Sequence, residues 1–166
     1  KKPEELRDFA KVILPGVGAA KSAMDNLKKQ GFSKTLAQLK IPFLGICLGL
    51  QLLSDFSYED DVKCLSIIPG KVKKFPKFVK VPQIGWNKVN FVKESPLLDD
   101  IPNESYFYFV NSFYFETDRD FLTAESDYGI TFPSIIQKDN FYATQFHPEK
   151  SGKIGAKLLF NFCKKC

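Results

Sequence analysis

The sequence predicts a single α/β domain over residues 1–166, and three observations carry that prediction. Apolar runs of strand length alternate with helical periodicity over the first third of the chain. From Leu65 to Phe146 short β-type runs then follow one another, punctuated by Pro, Gly, Asn and Asp. The composition is 44% hydrophobic with 17 Phe, enough for one core in a chain of this length. No internal repeat, low-complexity tract or long linker divides it.

Taken in order, residues 10–14 read as a short buried strand stopped by Pro15-Gly16-Val17-Gly18, and residues 19–29 as a helix. Residues 41–46 form a second buried strand. A helix over 48–56 follows it, with Leu48, Leu52, Leu53 and Phe56 at helical spacing. Strands are predicted over 71–75, 87–92, 106–115, 134–137 and 141–145. The last helix begins at Ser151, a residue type suited to capping, and aligns Ile154, Leu158, Leu159 and Phe162 on one face.

Charge excludes several classes of function. The formal net charge is +5, but the basic residues occur as scattered pairs such as Lys73-Lys74 and Lys164-Lys165, a solvated surface and not a nucleic-acid stripe. The longest apolar stretch, residues 41–53, is interrupted by Gly and Gln and is too short to span a bilayer. Neither nucleic acid nor membrane is expected as a partner. The chain opens Lys1-Lys2-Pro3 and its one methionine is Met24, so it reads as part of a longer product, and any N-terminal targeting signal is not observable in it. Cys47, Cys64, Cys163 and Cys166 show no disulfide framework, which points to a reducing cytoplasm. Cys163-Lys164-Lys165-Cys166 has the spacing of a redox or zinc motif. It lacks a second ligand pair and follows no strand, so a helix end is expected there and no metal or cofactor.

The chemistry concentrates at Gly45-Ile46-Cys47-Leu48-Gly49. A strand running straight into a helix through a residue flanked by glycines is the layout of a nucleophile elbow, where a tight turn projects one side chain from the sheet edge. The helix N-terminus is expected to favour a thiolate at Cys47, and the Leu48 N–H to bind an oxyanion formed on an attacked carbonyl. Alone, the pattern also fits a buried structural cysteine. The single histidine, His147, stands in Gln145-Phe146-His147-Pro148-Glu149-Lys150 at the end of a β-type run. Pro148 bars helix at His147, and Glu149 lies where its carboxylate can accept the second imidazole N–H. Cys47, His147 and Glu149 then form a nucleophile, base and orienter, against the plainer alternative of a capping histidine beside a surface glutamate.

Gly45-Ile46-Cys47-Leu48-Gly49-Leu50-Gln51 and Gln145-Phe146-His147-Pro148-Glu149-Lys150-Ser151 together resemble the triad (class I) glutamine amidotransferases. The segments Ile13-Leu14-Pro15-Gly16-Val17-Gly18, Ile67-Ile68-Pro69-Gly70-Lys71-Val72, Pro82-Gln83-Ile84-Gly85-Trp86-Asn87 and Tyr108-Phe109-Val110-Asn111-Ser112-Phe113 resemble, in order, those of glutaminase subunits of imidazole glycerol phosphate synthases. The resemblance implies a mixed sheet flanked by helices, and a glutaminase that forms a heterodimer with a (β/α)8 cyclase or synthase subunit in histidine biosynthesis. It implies L-glutamine as substrate, Cys47 as nucleophile, His147 as proton carrier and Glu149 as its orienter. It places the oxyanion hole at Val17, Gly18 and Leu48, with a peptide flip near Val17. Substrate contacts fall at Gly16, Gln51, Glu59, Ser112 and Phe113, and a partner interface at Trp86, Asn87, Tyr108 and Lys150.

Three departures from the family pattern stand out. The family's opening strand, helix and second strand have no counterpart before Ala10, while Gln83 and Asn111 each replace a usual histidine and Phe113 a usual tyrosine. The resemblance also admits a glutaminase supplying ammonia to an N-acetyl-sugar amidotransferase of surface glycan synthesis. More distant alternatives are a cysteine peptidase of related fold and a binding subunit without catalysis.

Overall fold

In the computed structural model, which describes residues 2–166, a 3-10 segment over Pro3–Asp8 precedes β1 (Val12–Gly16), α1 (Ala20–Lys29) and α2 (Phe32–Ala37). Next come β2 (Phe43–Cys47), α3 (Leu48–Gln51), β3 (Phe56–Ser57), β4 (Val62–Lys63) and β5 (Lys71–Lys74). The second half holds β6 (Gln83–Lys88), β7 (Asn90–Phe91), β8 (Tyr106–Asn111), β9 (Phe113–Glu116), β10 (Leu122–Asp127), β11 (Thr131–Lys138), β12 (Phe141–Thr144) and α4 (Gly152–Lys165).

A six-stranded mixed sheet runs in the order β1-β2-β12-β11-β10-β7. β1, β2 and β12 are parallel, and the other pairings are antiparallel. Every residue of β2 and β12 is buried. Strands covered on both faces need continuous apolar character, and Phe43-Leu44-Gly45-Ile46-Cys47 supplies it. The register sets Ile46 opposite Thr144 in two parallel strands. Cys47 and His147, which follow those residues, therefore leave the sheet at the same edge.

Side chains of β2 alternate between two cores. Phe43 joins Ala20 and Met24 of α1, Leu36 of α2, and Leu50 and Leu53. Leu44 and Ile46 join Phe107, Phe109, Phe132, Phe146, Leu158 and Phe162 on the other side. Phe146, fully buried, stacks on Phe107 at 4.1 Å and meets Phe109 edge-on at 5.5 Å. Truncating it to Ala costs about 3–5 kcal/mol, and the loss would fall on the residue that seats His147.

A second sheet has the order β4-β3-β5-β9, and β6 and β8 make an antiparallel ribbon. The ribbon buries Phe107 and Phe109 on one face and leaves Ile84, Trp86 and Tyr106 exposed on the other, the period-2 consequence of a pleated pair covered on one side.

Several elements differ from the sequence expectation. The helix expected over 48–56 stops at Gln51, because the carbonyls of Leu52 and Leu53 accept from the N–H groups of Leu65, Ile67 and Ile68 in place of continuing the helix, and Phe56 enters β3. The strand expected over 106–115 is two strands in different sheets. They part at Ser112, whose carbonyl accepts from Phe75 N. The strand expected over 87–92 is short β7, preceded by β6. α2 and β10 were not expected, and β10 buries Thr123, Ala124 and Ser126, small or polar residues that carry no apolar signal. Ser151 stands at the N-cap of α4 without capping it. Its φ −101° and ψ 25° lie outside the extended geometry of a side-chain cap, and its hydroxyl donates to His147 O at 2.7 Å and accepts from Tyr108 N at 3.0 Å.

Candidate active site

The turn from β2 into α3 has no loop: Cys47 is the last strand residue and Leu48 the first helical one. Cys47 takes φ 54° and ψ −107°, a strained conformation for a residue with a Cβ, costing about 1–3 kcal/mol. The glycines on either side permit the crossing of helix over strand. A Cβ at Gly45 would lie 2.6 Å from Gly49 O, and one at Gly49 would lie 2.0 Å from Leu14 O.

The thiol is 8% exposed. Its Sγ donates to Val110 O at 3.7 Å and accepts from Gln145 Nε2 at 3.7 Å. Burial pushes the Cys47 thiol up to about 11, against the opposing pull of the Leu48 N–H; the Glu149 charge raises it further, the Gln145 amide lowers it and Glu59 raises it. The thiolate expected from a helix N-terminus is thus not the resting form. A four-residue helix provides little dipole, and desolvation outweighs it. At rest the thiol is protonated, and any attack by it would need a base.

His147 follows β12 and precedes a 3-10 turn over Pro148–Lys150, where proline sits at a position that needs no N–H. Its backbone is clamped: His147 N donates to Tyr108 O at 2.9 Å, while its carbonyl accepts from Lys150 N and from the Ser151 hydroxyl. Its Nδ1 lies 2.7 Å from Glu149 Oε1. With Nδ1–H donated to the carboxylate, Nε2 is left as the acceptor. The His147 side chain is 4% exposed, whereas the Glu149 side chain is 45% exposed.

Cys47 and His147 open onto one cavity of about 320 Å³ that is also lined by Gly16, Val17, Gly18, Leu48, Gln51, Glu59, Ser112, Phe113 and Lys150. Every residue expected in the triad, oxyanion hole and substrate contacts reaches this cavity except Glu149, whose carboxylate meets His147 instead. Of the four expected interface residues only Lys150 lines it. Trp86 and Tyr108 pair edge-on at 6.0 Å on the β6–β8 ribbon, and Asn87 donates to Asp127 O at 2.8 Å. Gln51 is buried and occupied internally, its Nε2 donating to Phe113 O and to Gln145 Oε1, both at 3.1 Å.

Sequence reasoning missed Gln145, which links Gln51 to the Cys47 thiol; its signal was a polar side chain at the exit of an apolar strand, two residues before the histidine. The substituted positions Gln83 and Asn111 lie directly opposite each other in the ribbon, both buried, each with an unbonded side-chain oxygen. Cys163 is exposed and Cys166 half-buried, both unpaired. Among the described residues no group of three His, Cys, Asp or Glu is placed to hold a metal ion, and no helix is long and apolar enough to cross a membrane.

Residues 2–166 match the family described as glutamine amidotransferase class-I. A Methanocaldococcus jannaschii protein named imidazole glycerol phosphate synthase subunit HisH is 51% identical over 162 residues, spanning 96% of this chain and 82% of that protein. The subunit of the same name from Haemophilus influenzae strain Rd is 48% identical, over 97% of this chain and 81% of its own. The crystal structure of a Thermotoga maritima glutamine amidotransferase superposes with a TM-score of 0.63 at 21% identity, covering 96% of this chain and 65% of that one, a likeness of fold alone.

Proposed function

The chain belongs to the class-I glutamine amidotransferases, and from that premise we propose that it is the glutaminase subunit of an imidazole glycerol phosphate synthase in histidine biosynthesis. The observation that carries the chemistry is the elbow thiol of Cys47 sharing one cavity with an imidazole held by Glu149 at 2.7 Å. The Cys47 sulfur attacks the carboxamide carbon of L-glutamine as its proton passes to His147 Nε2. Burial keeps the resting thiol protonated, so His147 must take its proton for the attack to occur. The Leu48 N–H and a second donor from the peptide at Val17 and Gly18 hold the oxyanion. Collapse of the tetrahedral intermediate breaks the C–N bond, and His147 returns its proton to the departing ammonia. Water, deprotonated by His147, then hydrolyses the thioester to glutamate. Gly16, Gln51, Glu59, Ser112 and Phe113 surround the amino-acid head group, Gln51 through the carbonyl of Phe113 that it holds.

Ammonia passes to a (β/α)8 synthase subunit that forms imidazole glycerol phosphate and aminoimidazole carboxamide ribotide. The outer face of the β6–β8 ribbon suits that partner: Ile84, Trp86 and Tyr106 are more than half exposed beside Tyr108, an apolar patch that ends at Lys88, opposite Tyr106. Lys150, the remaining expected interface residue, lines the cavity.

The test is labelling by an electrophilic glutamine analogue, with and without the synthase subunit, followed by peptide mass spectrometry. The expected result is an adduct on Cys47 alone, blocked by excess glutamine, with Cys64, Cys163 and Cys166 unmodified. Labelling distributed over the four cysteines, or none with the partner present, would refute the assignment.

A further inference from the structure

We propose that Glu59 is a positioning residue that ties recognition of the substrate's amino group to the placement of the turn at residues 17–19; the proposal rests on the glutaminase reading above. α1 begins at Ala20, and the residue at its N-cap, Ala19, has no side chain to cap it. The cap comes from far along the chain instead: Glu59 Oε2 accepts from the Ala20 N–H at 3.0 Å. A carboxylate at a helix N-terminus meets both free N–H groups and the positive end of the helix dipole. Ala20 is fully buried, so the bond fixes a point inside the core.

Glu59 is itself held. Its backbone N–H donates at 3.1 Å to the hydroxyl of Ser57, a fully buried residue of β3. Upstream, β1 is pinned to β2 by the pairing of Gly16 with Cys47. Between these two anchors Val17 is 83% exposed, and Gly18 takes φ 102° with open space where a Cβ would be. The Glu59 bond is therefore the downstream tether of the segment that supplies the second oxyanion donor.

The same carboxylate lines the cavity that holds Cys47 and Gly18. An ionised carboxylate offers about four lone-pair positions, and Ala20 takes one. An α-ammonium group in the cavity and the N–H of Ala20 thus share one side chain: its charge attracts the substrate, and its oxygen places the turn. The two roles separate by substitution. Glu59→Gln keeps an acceptor oxygen for Ala20 and loses the charge; Glu59→Ala loses both.

The experiment is steady-state ammonia release from glutamine by the complex of this chain with its synthase subunit, for wild type and both variants, alongside Cys47 alkylation by iodoacetamide, which has no head group and forms no oxyanion. Glu59→Gln is expected to raise KM at least tenfold with kcat within threefold. Glu59→Ala is expected to raise KM equally and lower kcat a further tenfold or more, with the alkylation rate within twofold of wild type in both. Equal kcat in the two variants, unchanged KM in Glu59→Gln, or alkylation slowing in parallel with kcat would each overturn the proposal. Wild type that releases no ammonia would instead overturn the glutaminase reading on which it rests.

Discussion

The two sides of the cavity are built in opposite ways. On the nucleophile side, Cys47 is locked between a fully buried strand and a helix crossing so closely that neither Gly45 nor Gly49 has room for a Cβ. On the facing side, Val17 and Gly18 project into solvent, tethered only at their ends. The proposed attacking atom is held by the core, while the peptide proposed to stabilise the oxyanion is exposed and has open space around it. That division suits the proposed pairing with a synthase subunit, since the exposed half can be contacted without disturbing the core.

The largest effect belongs to the rigid side. Cys47→Ala should lower glutamine hydrolysis by at least about 10⁴-fold and leave synthesis from supplied ammonia unchanged, as measured in the complex with each nitrogen source. Glu149→Gln leaves the elbow untouched and deprives His147 of its carboxylate. A fall in kcat of about a hundredfold is expected, with little change in KM; a KM effect alone would place Glu149 among the binding groups.

A pair of glycine substitutions tests the contrast directly. Gly49→Ala pushes a methyl to 2.0 Å from Leu14 O and should destabilise the fold by about 3 kcal/mol, read from denaturant unfolding. Gly18→Ala meets no neighbour but must hold φ 102°, so about 1 kcal/mol is expected, together with a loss of glutaminase rate of about tenfold. Equal stability losses would break the comparison.

The last effect, confined to high pH, is on alkaline stability. The buried thiol has a folded-state value of about 11 against an ordinary value of 9.0, so the fold favours its protonated form. That contribution is complete below pH about 9 and is lost as pH rises through 11, an effect of at most about 3 kcal/mol. Cys47→Ser should flatten the fall in melting temperature between these pH values relative to wild type.

The proposed triad was legible because its signals are local. The two glycines flanking Cys47 record a steric requirement of one crossing, and the Pro between His147 and Glu149 records a break in the strand. The cap at Ala20 was not legible, because Glu59 reaches it across 39 positions. Nor was the split at Ser112: Tyr106 to Phe115 is uniformly β-prone, and only the demand of two different sheets for its two halves divides it. Gln51 stands beside the elbow in sequence, yet its amide turns to Phe113 and Gln145, a link that pairing of distant strands creates.

By itself, then, the sequence determined the chemistry available at each position: an elbow cysteine, one histidine with a carboxylate two residues on, and a Pro-Gly-Val-Gly turn before a helix. The tertiary structure decided how those groups behave. Parallel pairing of β2 with β12 brings Cys47 and His147 to one edge, and burial makes the resting thiol protonated where a helix end alone would favour the thiolate. The reason is physical: residue type and local geometry are properties of neighbouring positions, whereas desolvation and distant hydrogen bonds exist only once the chain has closed around the site.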